Sequence, residues 1–123
     1  MDPGDQVVLS LFDQTQVYLA RDPVDMRKQI DGLALIVQEV FELDPFQPAL
    51  FAFCNRQCDK LKVLYWHNNG FCLLYKRLEK GRFQWPRDSA ATQLRSEREL
   101  KWLLEGLSLE SLSTNPRLKY QSV

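Results

Sequence analysis

The chain has 123 residues, equal numbers of acidic and basic side chains and an apolar fraction of 45%, which together predict one globular domain with its own core. No apolar run reaches the roughly 18 residues of a membrane span, and the acidic start does not resemble a signal peptide. The odd number of cysteines, three, argues against a disulfide scaffold, so we expect a cytoplasmic protein.

The net charge of zero hides an asymmetry along the chain. Residues 1–54 carry nine acidic and three basic side chains, a net of −6, whereas residues 55–87 carry eight basic and two acidic ones, a net of +6. Such polarity suits a polyanion or an acidic partner. The solvated face of an antiparallel sheet would give the same composition, so the asymmetry alone assigns no function.

The first part of the chain predicts a strand and then a helix. Residues 1–15 are expected to form an N-terminal arm, and Gln16–Ala20 has the aromatic and β-branched character of a strand. Apolar residues at three- and four-residue spacing predict one long amphipathic helix over residues 23–43, packed on the sheet. Asp22 and Pro23 suit its start. Gly32 in its middle is expected to permit close packing on the sheet.

Residues 59–86 predict an antiparallel meander that follows a central strand at residues 50–54. Its three strands are Lys60–His67, residues 71–79 and residues 82–85. Asn69-Gly70 predicts a type I′ hairpin turn, because both residues tolerate the positive φ that this turn needs. Gly81 is expected to form the second turn.

The remainder of the chain predicts a short strand and a short helix. The strand covers residues 91–94, and Ser96 with Glu99 forms a capping box for the helix, which is expected to end at Gly106.

The whole pattern predicts an α+β fold. It consists of an antiparallel meander sheet of about five strands, one long helix packed on it and a short C-terminal helix. The domain is expected to span residues 16–112, followed by a disordered polar tail at residues 113–123.

The basic meander is the stretch that suggests a binding function. With a two-residue turn Lys62 lies opposite Arg77, and with a three-residue loop it lies opposite Lys76. Directly opposed like charges destabilise a sheet, so a balancing anion is expected, either a carboxylate of this chain or a phosphate. Cations interleaved with aromatic rings suit contact with nucleic acid. The predicted nucleic-acid-binding residues are Lys60, Lys62, Lys76, Arg77, Lys80, Arg82, Trp66 and Tyr75, with Arg56 and Arg87 at their border.

Metal and catalytic sites have less support. Cys54, Cys58, His67 and Cys72 carry donors that zinc prefers, but only the first two share the short spacing of a structural zinc site. The single histidine and the absence of a phosphate-binding loop or nucleophile motif leave no catalytic centre to assign. We therefore predict no metal, no cofactor and no enzyme. A metal-dependent nuclease remains a third hypothesis, tested by elemental analysis and a cleavage assay.

Several segments, in order along the chain, resemble one known family. They are Val17-Tyr18-Leu19-Ala20, Pro23-Val24-Asp25-Met26-Arg27-Lys28 with Asp31-Gly32-Leu33, Leu50-Phe51-Ala52-Phe53, Asp59-Lys60-Leu61-Lys62-Val63-Leu64-Tyr65-Trp66, Asn69-Gly70-Phe71-Cys72 and Tyr75-Lys76-Arg77-Leu78-Glu79-Lys80-Gly81-Arg82-Phe83. Over roughly residues 16–107 the chain is similar to TnpB, the second-frame accessory protein of the insertion sequence sixty-six family of transposable elements. His67 and the Gln57-Cys58 turn depart from the family pattern, in which an acid and more basic residues are common. The departure in the turn weakens the case for Arg56 as a DNA contact.

The resemblance implies an accessory factor that is encoded beside a larger transposase and needed with it for transposition. It implies no catalytic residues. Two functional hypotheses follow. In the first, the protein binds element-end DNA, or the transposase–DNA complex, through the basic meander. In the second, it is a protein–protein interaction module that recruits or regulates the transposase without contacting DNA. Carboxylate partners for Lys62 and Arg77 would remove the main physical support for the first.

Overall fold

The structure is a computed structural model that describes residues 16–87 and 90–105. The predicted N-terminal arm, the polar tail and the helix stop at Gly106 lie outside these residues. The elements in chain order are strand β1 (Gln16–Ala20), helix α1 (Ile30–Glu39), β2 (Ala49–Cys54), β3 (Lys60–His67), β4 (Gly70–Arg77), β5 (Thr92–Arg95) and helix α2 (Glu97–Leu104). Neither of these two helices is long and apolar enough to cross a membrane.

The described strands form one mixed sheet in the order β4-β3-β2-β1-β5. β1 and β2 pair in parallel, and the other neighbouring strands pair antiparallel. A parallel pair needs a crossover of a dozen or more residues, which residues 21–48 provide with α1 in their middle. The predicted α+β class is confirmed, but the purely antiparallel meander sheet is wrong.

Helix α1 is shorter than the predicted helix, because residues 23–29 form a loop across the end of the sheet. In this loop the backbone N of Val24 donates to the carbonyl of Cys54 at 2.9 Å. The Asp25 carboxylate accepts from the backbone N of Arg27 at 2.9 Å, a local bond that competes with helix formation. Val24 and Met26 pack against the same core as α1, which explains why the apolar pattern suggested one continuous helix.

The sheet is covered on both faces. Helix α1 places Leu33 and Val37 against Phe51 and Phe53 of β2 on one face. Residues 83–85 and helix α2 cover the other face. Its buried residues include Phe83, Trp85, Leu100, Leu103 and Leu104.

The predicted third meander strand at residues 82–85 is also wrong. The backbone N of Phe83 donates to the carbonyl of Cys58 at 2.7 Å, and Nε1 of Trp85 donates to the carbonyl of Ala20 at 2.7 Å. The segment therefore crosses one face of the sheet and buries both rings against it. A third meander strand would instead have paired with the edge of β4.

The hairpin of β3 and β4 turns at Asn68-Asn69, one residue earlier than predicted. His67 pairs with Gly70 and Lys62 pairs with Tyr75. Asn68 has a φ of 56°, a left-handed conformation that asparagine tolerates. Both predicted registers are therefore wrong, and Lys62 lies opposite neither Arg77 nor Lys76.

Candidate nucleic-acid interface

One end of the sheet gathers most of the described cations. Strands β1, β2 and β4 end there and β3 begins there, so residues 21–28, 55–60 and 76–87 lie side by side. We call these three segments the basic end. They contain ten Lys and Arg side chains and four Asp and Glu side chains. The cations are Arg21, Arg27, Lys28, Arg56, Lys60, Lys76, Arg77, Lys80, Arg82 and Arg87.

Backbone hydrogen bonds hold the segments of the basic end together. The backbone N of Leu78 donates to the carbonyl of Asp59 at 2.8 Å, and Phe83 donates to Cys58 at 2.7 Å. The loop at residues 79–82 is thus fixed beside the turn at residues 55–59. Lys80 and Arg82 are exposed on this loop.

Each of the four carboxylates at the basic end forms an ion pair with a cation close to it in sequence. The shortest pairs are Arg27 with Asp25 and Arg77 with Glu79, both at 2.7 Å. Arg21 pairs with Asp22 at 3.0 Å and Lys60 with Asp59 at 3.7 Å. The anion expected for Arg77 is therefore Glu79. Exposed pairs of this kind contribute little to stability, and the basic end keeps an excess of positive charge.

Lys62 has a structural role that the sequence did not indicate. Its side chain is buried, with the residue 4% exposed. Its Nζ donates to the carbonyls of Met26 at 2.9 Å and Lys28 at 2.8 Å, and it lies 5.6 Å from the centroid of the Tyr75 ring. A buried ammonium with these partners does not present its charge to DNA, so we remove Lys62 from the proposed contacts.

The other predicted residues divide between different parts of the sheet. Lys60, Tyr75 and Arg77 share one face, because Lys60 pairs with Arg77 and Lys62 with Tyr75. Lys76 pairs with Leu61 and therefore points to the opposite face.

Trp66 lies at the far end of β3, against the rings of Phe46 and Phe71 at centroid distances of 4.9 and 5.0 Å. Six residues of strand separate it from Lys60, or about 20 Å. The structure does not bring Trp66 together with the predicted cations.

A cleft of about 500 Å³ opens at the basic end, between residues 23–27 and residues 55–57. Lys60 and Tyr75 line it from neighbouring strands, and Arg27 and Arg56 line it from the two loops. The side chain of Arg27 is 90% exposed. Arg27 was not among the predicted contacts, because its loop was predicted as part of the helix. The Pro-x-Asp-x-Arg pattern, typical of an Asx turn, was the available signal.

Asn55 shapes one wall of this cleft. The residue is buried, and its Nδ2 donates to Asp59 Oδ1 at 2.6 Å and to Gln57 Oε1 at 3.2 Å. Its Oδ1 accepts from the backbone N of Asp59 and of Lys60, both at 3.0 Å. The hydrogen bond from Asn55 lowers the pKa of Asp59, which therefore stays charged. These bonds fix the turn that carries Arg56.

The side chains proposed as possible zinc ligands, Cys54, Cys58, His67 and Cys72, do not come together in one site. Among the residues that the structure describes, no group of three or more His, Cys, Asp or Glu side chains could hold a metal ion. His67 lies at the opposite end of β3 from the turn that holds Cys58, and Cys72 pairs with Tyr65 near that same far end. Burial raises the pKa of Cys54 to about 12, so its thiol is neutral near pH 7.

One family model and two curated proteins match most of the chain. The family model described as IS66 Orf2 like protein matches residues 15–114. The uncharacterized protein y4hO of Sinorhizobium fredii is 40% identical over 92 residues, which cover 75% of this chain and 80% of that protein. The uncharacterized protein y4jC of the same organism is 31% identical over 101 residues, which cover 82% of this chain and 86% of that protein. No solved structure matches the chain. The chain therefore belongs to the IS66 Orf2-like family, whose role is an accessory one in transposition.

Proposed function

We propose that the protein is a non-catalytic accessory factor that binds DNA during transposition through its basic end. The supporting observation is that three adjacent segments carry ten cations and only four carboxylates. Exposed Lys and Arg side chains on such segments suit contact with phosphates, which supplies affinity without reading sequence. The proposed contacts are Arg27, Arg56, Lys60, Arg77, Lys80 and Arg82.

The salt dependence of DNA binding tests this proposal. Fluorescence anisotropy with labelled DNA from the element ends, between about 50 and 200 mM salt, should show affinity falling steeply. Arg82→Ala should make the logarithmic slope shallower by about one, because one phosphate contact is lost. Arg98, which lies on α2 with its guanidinium 5.1 Å from the Trp102 ring centroid, provides the matched control. Arg98→Ala should leave the slope unchanged.

Three results would contradict DNA binding through the basic end. They are no binding, binding that does not depend on salt, and equal slopes for the two variants and the wild type. Arg82 is exposed and makes no ion pair with the described residues, so its loss should not disturb the fold. Thermal denaturation of both variants provides that check.

The second candidate function is recruitment of the transposase through a protein–protein contact. It is supported by three aromatic rings at the end of the hairpin opposite the basic end. Phe46, Trp66 and Phe71 contact one another at centroid distances of 4.9–5.1 Å, and Phe46 is 52% exposed. Exposed apolar clusters often mark interaction sites.

Co-purification from a nuclease-treated lysate distinguishes the two functions. A tagged wild-type protein that still captures the transposase, while Phe46→Ser does not, would favour direct protein contact. Loss of the complex on nuclease treatment would favour DNA bridging.

A further inference from the structure

We propose that the cleft at the basic end binds one unpaired nucleotide of a DNA strand. Its base would stack on the ring of Tyr75, and its phosphate would lie between Arg56 and Lys60. This inference rests on the DNA binding proposed above and adds that the preferred ligand is single-stranded.

The ring of Tyr75 is suited to stacking. It lines the cleft and is 49% exposed, and it stands on β4, an edge strand of the sheet. Lys62 lies 5.6 Å from its centroid and is itself fixed by two carbonyls. The Lys62 ammonium is therefore a fixed neighbour of the ring, and the exposed part of the ring faces the cleft. Stacking of a base on such a ring is sequence-tolerant, because every base has a π-face.

The charges of the cleft indicate where a phosphate would lie. The guanidinium of Arg27 donates through Nε and one terminal nitrogen to the Asp25 carboxylate, and this bonding lowers the pKa of Asp25 to about 2. The Arg27 guanidinium is thus already bound to a carboxylate at 2.7 Å, and a phosphate would have to compete with Asp25 for it. Arg56 makes no side-chain bond to the described residues, and Lys60 is 3.7 Å from its carboxylate partner, Asp59. The side of the cleft between Arg56 and Lys60 is therefore the more favourable for an anion.

The shape of the cleft favours an unpaired nucleotide over a duplex. Its volume of about 500 Å³ lies within the range of about 300–1,000 Å³ that is usual for small-ligand sites. A duplex keeps its bases stacked inside and presents phosphates on its outer surface. Its bases would reach Tyr75 only after unstacking and unpairing, which requires the least energy in a strand that is already single.

Anisotropy titrations with a short labelled oligothymidylate and with a duplex of equal length test this inference. The wild type should bind the single strand more tightly. Tyr75→Leu should weaken single-strand binding by about fivefold or more, the lower bound for one stacked base, and change duplex binding less than about twofold. Tyr75→Phe should keep the affinity, because stacking needs the ring and not the hydroxyl. Phe46→Leu, which alters a similarly exposed ring outside the cleft, should change neither affinity.

The possible failures are distinguishable. If neither probe binds at low salt, both the DNA-binding function and this inference are overturned. If both probes bind and Tyr75→Leu affects them equally or not at all, only the single-strand inference is overturned. Arg56→Ala provides a second test that does not depend on the packing of Tyr75, since the side chain is exposed. It should weaken single-strand binding more than duplex binding, and equal losses would also overturn the inference.

Discussion

The replacement of Lys62 by methionine separates a structural lysine from a DNA-binding one. Methionine approximates the length of the aliphatic stem and removes only the ammonium group. That group donates to the carbonyls of Met26 and Lys28 at 2.9 and 2.8 Å. These bonds fix residues 23–29, which form one wall of the cleft, to strand β3. We therefore expect Lys62→Met to lower stability and to loosen that wall.

The expected magnitude follows from the two hydrogen bonds. Bonds to a charged group contribute about 1.5–3 kcal/mol each, and a buried carbonyl left without a donor costs about 1–3 kcal/mol. Part of this loss is offset because the variant no longer buries an ammonium group. The net decrease in the free energy of unfolding should be about 2–4 kcal/mol.

Urea denaturation measures this change. With an m-value of about 1.5 kcal/mol/M, the midpoint should fall by about 1.3–2.7 M. Lys80→Met, which alters an exposed lysine on the loop at residues 79–82, is the matched control and should stay within about 0.5 kcal/mol of the wild type. The salt slope of DNA binding should change for Lys80→Met and not for Lys62→Met. A stable Lys62→Met variant whose slope is shallower by about one would show that Lys62 contacts phosphate, and would refute the reasoning.

Three further predictions concern helix α1 and the two loops that line the cleft. A Cβ atom at Gly32 would meet the Lys28 Cβ at 3.4 Å, an ordinary contact, so Gly32→Ala should stabilise helix α1 by about 0.5–1 kcal/mol; a lower urea midpoint would contradict this. Asn55→Ala leaves the backbone N–H groups of two residues unsatisfied and should lower the free energy of unfolding by about 2 kcal/mol, measured by thermal denaturation. Arg27 lowers the pKa of Asp25 to about 2, below its value of about 3.9 in the unfolded chain, so the charge stabilises the folded state above pH about 4 and this contribution is lost as the pH falls toward 2. Asp25→Asn keeps the oxygen acceptor, so its stability deficit in urea should be full at pH 5 and should largely disappear near pH 2; a deficit of equal size at the two pH values would argue against the charge as its cause.

Local patterns in the sequence predicted those parts of the fold that depend on local physics. Gln16–Ala20 was predicted as a strand with its observed limits, and the apolar stretch at residues 50–54 was predicted as a central strand and is buried throughout. The Ser96 cap is also confirmed, since its side chain accepts from the backbone N of Glu99 at 3.1 Å. In each case the residue types within the element itself carry the signal.

The predicted helix over residues 23–43 was too long, because hydrophobic periodicity does not reveal the hydrogen bonds that compete with helix formation at residues 23–29. Val24 and Met26 fall in phase with α1 and join its core, so hydrophobic spacing alone makes one helix of two segments. The Asx bond of Asp25 and the contact of Val24 with β2 determine a loop instead. Gly32 was expected to allow close packing on the sheet, whereas the atoms nearest to its position belong to Lys28.

The candidate site was harder to predict because it depends on the register of β3 and β4 and on contact between loops that are far apart in sequence. Asn68, Asn69 and Gly70 are all turn residues, and choosing Asn68-Asn69 in place of Asn69-Gly70 moves Lys62 from Arg77 to Tyr75. The two loops of the cleft are far apart in sequence. Lys62 holds one of these loops through hydrogen bonds to two backbone carbonyls. Every residue has a backbone carbonyl, so the residue types do not show which ones accept these bonds.

The observed register also changes the physical support for DNA binding. Lys60 and Arg77 are the cations that lie directly opposite each other, and each has a carboxylate of this chain beside it, Asp59 at 3.7 Å and Glu79 at 2.7 Å. The balancing anion that the opposed charges require is therefore available within the protein, and the opposed pair no longer argues for a phosphate. DNA binding is supported instead by the excess of cations on the three segments of the basic end, where Arg56, Lys80 and Arg82 make no ion pair with the described residues. Exposed ion pairs are weak, so a phosphate that competes with Glu79 for Arg77 has little energy to overcome. The unpaired cations should accordingly determine where DNA first binds, and the paired ones should add to its affinity.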